Sequence, residues 1–286
     1  MRMVNKLYKI ANFFWYFFIF TIPFGTRLIA KPRLVNGVFI EWGTMSIFAS
    51  EIVLWLYCFI VILLVIFDWS AVKNRISEYK KIFIVLAVFL ILALISIINS
   101  HFFTVSYWQF FRIIEVSLLL ASVIILRPSF KNTALVFSLS LIPSLVLGVF
   151  QFGFQFSPAN KWLGIAEHLP SILGTSVIGG AANRFLRVYG TFAHPNIFAA
   201  YLAVNFWSLI YLILENKNKL QKIILFFLFF LNFYCLFLTF SRAAYLALFL
   251  SFLVFLSFGF KKLKTQKELL ILLIGILVFV SILGYC

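Results

Sequence analysis

Two arginines stand where helices are expected to begin. Arg187 precedes the run Val188-Tyr189-Gly190-Thr191-Phe192-Ala193-His194-Pro195-Asn196, and Arg242 directly follows Ser241. Pro195 suits a first helical turn, because its missing N–H has no partner there anyway. The helix it opens turns free N–H groups and the positive end of its dipole toward the chain that precedes it, an arrangement that attracts anions. Arg187, just upstream, can close over the same anion. Ser241 is a suitable N-cap, which sets Arg242 in a first turn, where a cation opposes the dipole. A residue placed against local stability points to an external anionic partner; the plain alternative is an arginine snorkelling to an interface. Two helix starts on one side, each with an arginine, fit a diphosphate.

Other polar residues read more plainly. Arg112 and Glu115 are three apart, on one face of a helix, and read as a structural ion pair or as the wall of a site. Asn205 reads as glue between helices. The histidines His101, His168 and His194 fall between apolar runs, where polar residues gather for any reason. Cys58, Cys235 and Cys286 have neither metal-ligand nor disulfide-framework spacing. There is no Gly-rich nucleotide loop, no metal-ligand constellation and no defensible Ser-His-Asp order, so neither a cofactor nor a metal is expected.

The elements that must position these residues are membrane spans. The chain of 286 residues is 64% hydrophobic and only 11% charged, with a mean hydropathy of +1.09, far above the roughly 45–50% apolar content of a soluble domain. A span needs roughly 20 apolar residues. About nine candidates lie near 8–23, 47–67, 82–99, 107–126, 133–150, 196–214, 223–240, 242–258 and 268–285. The stretch 223–258 would be about 54 Å long as one helix, nearly twice the hydrocarbon thickness. It is therefore expected to fold back at Thr239-Phe240-Ser241-Arg242. The fold class is all-α, a polytopic helical bundle forming one transmembrane domain over residues 1–286, with an uncleaved first span.

Net charge is +16, but the Lys and Arg fall in short gaps between apolar runs and not on one exposed face, so no nucleic-acid partner is expected. With the N-terminus in the cytoplasm, the inner segments hold Arg2, Lys6, Lys9; Lys73, Arg75, Lys80, Lys81; Arg127, Lys131; Lys217, Lys219, Lys222; and Lys261, Lys262, Lys264, Lys267. The outer segments hold fewer: Arg27, Lys31, Arg33, Lys161, Arg184, Arg187 and Arg242. That asymmetry is the positive-inside pattern. One outer loop, 151–195, is long, glycine-containing and too apolar for a disordered linker; it is expected on the membrane surface or partly re-entrant. The localisation implied is the plasma or inner membrane, multi-pass.

At these residues the sequence resembles a known family. RVYGTFAHPNIFAAYL (187–202) and LTFSRAAYLAL (238–248), about 50 residues apart, look like the two signatures of the O-antigen ligase and polymerase superfamily. PFGTRL (23–28) and QFFRIIE (109–115) also look familial, so the likeness extends over nearly the whole chain. The resemblance implies a glycosyltransferase of the lipid-carrier type, which moves a glycan from undecaprenyl diphosphate on the outer leaflet to a glycan, lipid or protein acceptor in polysaccharide synthesis. It implies no nucleotide sugar and no metal. Arg187 and Arg242 then take the catalytic role, neutralising charge on the leaving diphosphate. Thr191, His194, Asn196, Ser241 and Arg112 would join them in binding substrate, with His194 structural or adjacent to the diphosphate.

The family's large outer loop, expected to carry a further arginine and an acceptor-directed histidine, would lie past Cys286; the chain is expected to be the N-terminal part of a longer protein. Two other readings compete. A carrier of a small solute such as bicarbonate would place its polar groups near the bilayer midplane on broken helices, where only Asn205 and Pro143 stand. A non-catalytic partner in polysaccharide assembly would need neither arginine.

Overall fold

The computed structural model describes residues 2–35, 37–40, 43–179 and 184–259. The expected ninth span at 268–285, the basic cluster Lys261–Lys267 and Cys286 lie outside the described residues. The chain is an all-α membrane bundle divided into two compact units, Met1–Leu141 with Lys161–Gly164, and Ile142–Asn160 with Ile165–Cys286.

The first unit holds α1 (Arg2–Thr21), β1 (Arg27–Lys31), β2 (Leu34–Val35), β3 (Val38–Phe39), β4 (Met45–Phe48), α2 (Ala49–Phe67), α3 (Trp69–Glu78), α4 (Lys80–Ile98), α5 (Phe103–Leu126) and α6 (Phe130–Ser140). Its core lies between α1 and α2, where Ala11, Trp15, Tyr57, Leu64 and Val72 are buried together. Lipid is as apolar as leucine, so such faces are held by packing and by directed polar contacts more than by hydrophobic transfer. One such contact runs from Trp15 Nε1 to Thr133 Oγ1 at 2.9 Å. Strands β1 and β4 pair antiparallel between α1 and α2. Gly25 N–H bonds Leu163 O at 3.2 Å, and a Cβ on Gly164 would lie 2.1 Å from Gly25 C, so the 161–164 segment clips tightly onto the chain that leaves α1. The stretch after α2, read from sequence as loop, contains the helix α3, tied down by Asp68 accepting from Tyr8 Oη at 3.1 Å and by Arg75 donating to Ile125 O.

The second unit holds α7 (Ile142–Phe154), the hairpin β5 (Val177–Ile178) and β6 (Phe185–Leu186), α8 (Pro195–Glu215), α9 (Lys219–Leu238) and α10 (Arg242–Gly259). Leu145, Phe198, Leu202, Leu209 and Leu236 are fully or almost fully buried. Asn205 Nδ2 donates to Asn232 Oδ1 at 2.9 Å, and Asn232 donates in turn to Leu202 O at 3.1 Å. These amides satisfy each other and stitch α8 to α9. The expected fold-back is present: α9 ends at Leu238, Phe240 takes a left-handed φ of 49°, and α10 starts at Arg242.

The span count differs from the expected nine. Among the described residues six segments are long and apolar enough to cross a bilayer: Ala49–Phe67, Lys80–Ile98, Phe103–Leu126, Phe130–Phe154, Pro195–Glu215 and Lys219–Leu238. Helix α1 spends its first half on Arg2, Lys6 and Lys9, which leaves a short apolar remainder. The apolar stretch Arg242–Phe255 is shorter than a full span. Helix α4 is the plainest sign of a lipid environment: Val85, Val88, Phe89, Ile91, Leu92 and Ile95 are all exposed, a surface no water-soluble protein leaves bare.

Candidate functional site

The two arginine-bearing segments, about 50 residues apart in sequence, meet at one end of the second unit. Val188 N–H bonds Leu238 O at 3.2 Å, and Arg187 Nε donates to Thr239 O at 2.7 Å. Arg187 Nη2 donates to Asn196 Oδ1 at 2.6 Å. One guanidinium therefore joins the carbonyl end of α9 to the first turn of α8. Carbonyls left over at a helix C-terminus attract such a cation. Three residues after Thr239, Arg242 opens α10 with an exposed side chain. Ser241 beside it is buried, and its carbonyl accepts from Tyr245 N–H at 3.1 Å. Tyr245 Oη donates to Phe237 O at 2.8 Å, which pins the turn shut.

The segment that carries Arg187 is held from behind by Gln151, near the end of α7. Its Oε1 accepts from Tyr189 N–H at 3.0 Å and Gly190 N–H at 2.8 Å, while Nε2 donates to Gly190 O at 3.0 Å and Ser157 Oγ at 2.9 Å. Gly190 has φ +59°, and a Cβ there would lie 3.0 Å from the Phe198 ring. A Cβ on Gly148 would fall 2.8 Å from Val188 Cγ1, so α7 approaches the segment at backbone distance. Thr191 is fully buried and its hydroxyl lies 2.7 Å from Ser144 Oγ.

His194 is the N-cap of α8. Its Nδ1 accepts from Asn196 N–H at 3.1 Å, so in the neutral ring Nε2 carries the proton, and Nε2 lies 3.1 Å from Ser176 Oγ. Tyr189 stacks on His168 at 4.0 Å and accepts the Ser176 N–H at 2.7 Å. Burial, and then the nearby Arg187 charge, holds His194 below its ordinary value of 6.5; burial and then His194 lower His168 in the same way. Both imidazoles are neutral at neutral pH. Burial also lowers Arg187, but from so high a value that it stays cationic.

One expectation is overturned. The start of α8 does not offer free N–H groups to an anion. Pro195 has none, Asn196 N–H is capped by the His194 ring, and Ile197 and Phe198 N–H both bond His194 O at 3.0 and 3.2 Å. The anion-binding potential here rests on side chains, Arg187 with its uncommitted N–H groups and Arg242, together with the start of α10.

Of the residues singled out from sequence, Arg187, Thr191, His194, Asn196, Ser241 and Arg242 belong to the second unit. Arg112 belongs to the first. There it pairs with Glu115 at 3.4 Å, as its spacing suggested, and with Glu51, which the sequence reading passed over. It also donates to Ser46 O. Trp55 Nε1 donates to Glu115 Oε1 at 2.6 Å. The reading also missed Gln151 and Ser176, and quoted Tyr189 and Thr239 within their segments without a role; the roles of all four depend on contacts distant in sequence. Among the described residues, no three His, Cys, Asp or Glu come together as a metal site. Compared with protein-family models, curated proteins and solved structures, the chain finds no match.

Proposed function

We propose that this multi-pass protein, embedded in the cell membrane with its N-terminus in the cytoplasm, binds the diphosphate of an undecaprenyl-diphosphate-linked glycan and transfers the glycan to an acceptor on the outer face. The observation that supports this most is the setting of Arg187. It is fixed by two neutral oxygen acceptors, Thr239 O and Asn196 Oδ1, and no carboxylate pairs with it among the described residues. A half-buried cation so held keeps its charge for a ligand. Arg242, three residues after the Thr239 that Arg187 bonds, adds a second charge for the other phosphate. In the transfer, the acceptor oxygen bonds the anomeric carbon, the bond from that carbon to the diphosphate oxygen breaks, and the electron pair leaves on the diphosphate. The acceptor proton passes to water or a neighbouring base. The arginines act on the charge that builds on the leaving group, a contribution worth roughly 10²–10³ in rate for one such donor. Thr191, His194 and the buried Ser241 position the two segments; Asn196 lines the approach.

A carrier reading has less support, because the midspan amides Asn205 and Asn232 are spent on each other. A purely structural reading of Arg187, as a cap on α9, has the Thr239 bond in its favour.

The test uses the full chain in lipid nanodiscs with undecaprenyl diphosphate as probe. Arg187→Met and Arg242→Met should each weaken binding about tenfold, with Lys161→Gln as an exposed control that leaves it unchanged. In cells that depend on the protein for surface glycan, both variants should lose the glycan. Unchanged binding and unchanged glycan in both variants sink the proposal.

A further inference from the structure

The first unit contains an open cleft of about 770 Å³ between two connections that follow apolar helices. One wall is the strand-rich segment after α1, with Lys31 and Arg33. The other is the turn from α4 into α5, with His101, Phe102 and Thr104. Lys31 and Arg33 thus bring two cations to one wall and His101 an imidazole to the other, and no carboxylate is among the described lining residues. Arg33 lies over an aromatic ring of the opposite wall: its guanidinium carbon is 4.5 Å from the centroid of the Phe102 ring. Gly43 makes that possible, since a Cβ there would fall 2.0 Å from Arg33 Cδ. Thr44 Oγ1 accepts from Arg33 N–H at 3.1 Å and donates to Ile40 O at 2.8 Å, which fixes the backbone beneath. The rings of Phe102 and Phe103 are exposed at the rim, and the Thr104 hydroxyl adds a neutral polar group.

A volume in the range of small-molecule sites, two cations on one wall with an imidazole on the other, a guanidinium held over an aromatic ring and exposed aromatic rings suit one chemical class. We propose that this cleft binds an acidic saccharide, with its carboxylate or phosphate on Arg33 and Lys31 and its ring over the exposed phenylalanines. The assignment does not depend on diphosphate binding in the second unit, and it can fail or stand alone.

The test measures binding to the full chain in nanodiscs of zwitterionic lipid, which removes anionic headgroups as competitors. Glucuronic acid and glucose 6-phosphate represent the two sources of charge, glucose is the neutral analogue, and acetate is the bare anion. One or both charged sugars should bind at least tenfold more tightly than glucose and than acetate, and the better of the two names the acidic group. Arg33→Gln should weaken that binding about tenfold. Because Arg33 also packs against Gly43 and Phe102, the double variant Lys31→Gln with His101→Gln, both exposed, provides a second reading and should weaken it to a similar degree. Arg187→Met should leave it unchanged, which separates this cleft from the second unit. Equal binding of glucose and the charged sugars, equal binding of acetate, or full binding by both cleft variants would overturn the assignment, as would no binding of either charged sugar.

Discussion

Arg112 and Arg187 are both partly buried guanidiniums in a chain suited to lipid, and their surroundings are opposite. Arg112, with its side chain 22% exposed, faces Glu51 and Glu115 at 14% and 9%. Its charge is matched inside the fold, and a backbone carbonyl and a tryptophan complete the group. Among the described residues, Arg187 meets a carbonyl and an amide oxygen and no carboxylate. Both arrangements fix a side chain, but only the second leaves its charge unmatched. A sequence reading that weighs arginine by burial alone puts the two together. Which oxygens meet the guanidinium is what tells an internal brace from a site for an anion.

The sharpest way to break that comparison is to strand Arg112 and to remove Arg187. The double variant Glu51→Ala with Glu115→Ala removes both carboxylates from Arg112 and takes away the partner of Trp55. An uncompensated charge in a largely desolvated place costs about 3–5 kcal/mol, so the unfolding temperature in detergent should fall sharply. Arg187→Met should cost only about 1–2 kcal/mol, the net worth of two hydrogen bonds, while removing anion binding. If Arg187→Met destabilises as much as the Glu51→Ala, Glu115→Ala double variant, Arg187 is a brace like Arg112 and the contrast is gone.

Gln151 sharpens the same contrast from the side of position. Gln151→Leu leaves two N–H groups and a carbonyl of the Tyr189–Gly190 backbone buried without partners, and should cost roughly 2–4 kcal/mol. It should weaken diphosphate binding in step with the loss of stability, whereas Arg187→Met uncouples the two. Calorimetry and binding on the same sample check this. Gln151 was not legible in the sequence. It stands where an apolar run ends, and nothing local tells a loop residue from one that folds back under a segment some 40 residues on. Glu51 was hidden in the same way at the edge of a span. The arginine segments were legible because Pro195 and Ser241 mark helix starts by local chemistry, but the bond from Arg187 to Thr239 is a tertiary fact. The prediction of free amides at the start of α8 failed because it counted N–H groups without asking whether His194 would take them.

A neutral control lies away from both arginines. Asn232→Leu removes the partner of Asn205 and should cost about 1 kcal/mol, the usual size of such contacts between membrane helices, with no effect on binding of either probe. Asn205 was readable as glue because one amide in an apolar run needs a partner. Asn232 sits just as plainly among phenylalanines and leucines and completes the pair. The fold class and most helices followed from apolar run length in this way. The span count did not, since α1 and the apolar part of α10 fall at the margin of what length and charge can decide. A large loss for Asn232→Leu would mean that the second unit depends on its polar contacts as heavily as the first depends on Arg112.

The smallest expected effect separates the two arginines by pH. No imidazole bonds to Arg112, whereas Arg187 lies close enough to His194 to lower its proton affinity, and His194 in turn lowers that of His168. Tyr189 and Ser176 also border the two rings among the described residues. A group whose folded value is depressed is bound to fewer protons in the folded chain than in the unfolded one. The stability it contributes is present above its ordinary value, about 6.5, and is lost as pH falls through the folded value. The local consequence has a direction as well. Nδ1 of His194 cannot take a proton without giving up the Asn196 N–H, so acid uncaps α8. Hydrogen exchange at Asn196, Ile197 and Phe198, corrected for the intrinsic effect of pH, should therefore quicken as pH falls below about 6.5 relative to amides around Arg112. His194→Asn keeps an N-cap acceptor and removes the titration, so it should flatten that profile without lowering stability at neutral pH. An unchanged slope in His194→Asn would mean that the acid sensitivity arises elsewhere, and that His194 is a cap whose charge state does not matter to the segment Arg187 begins.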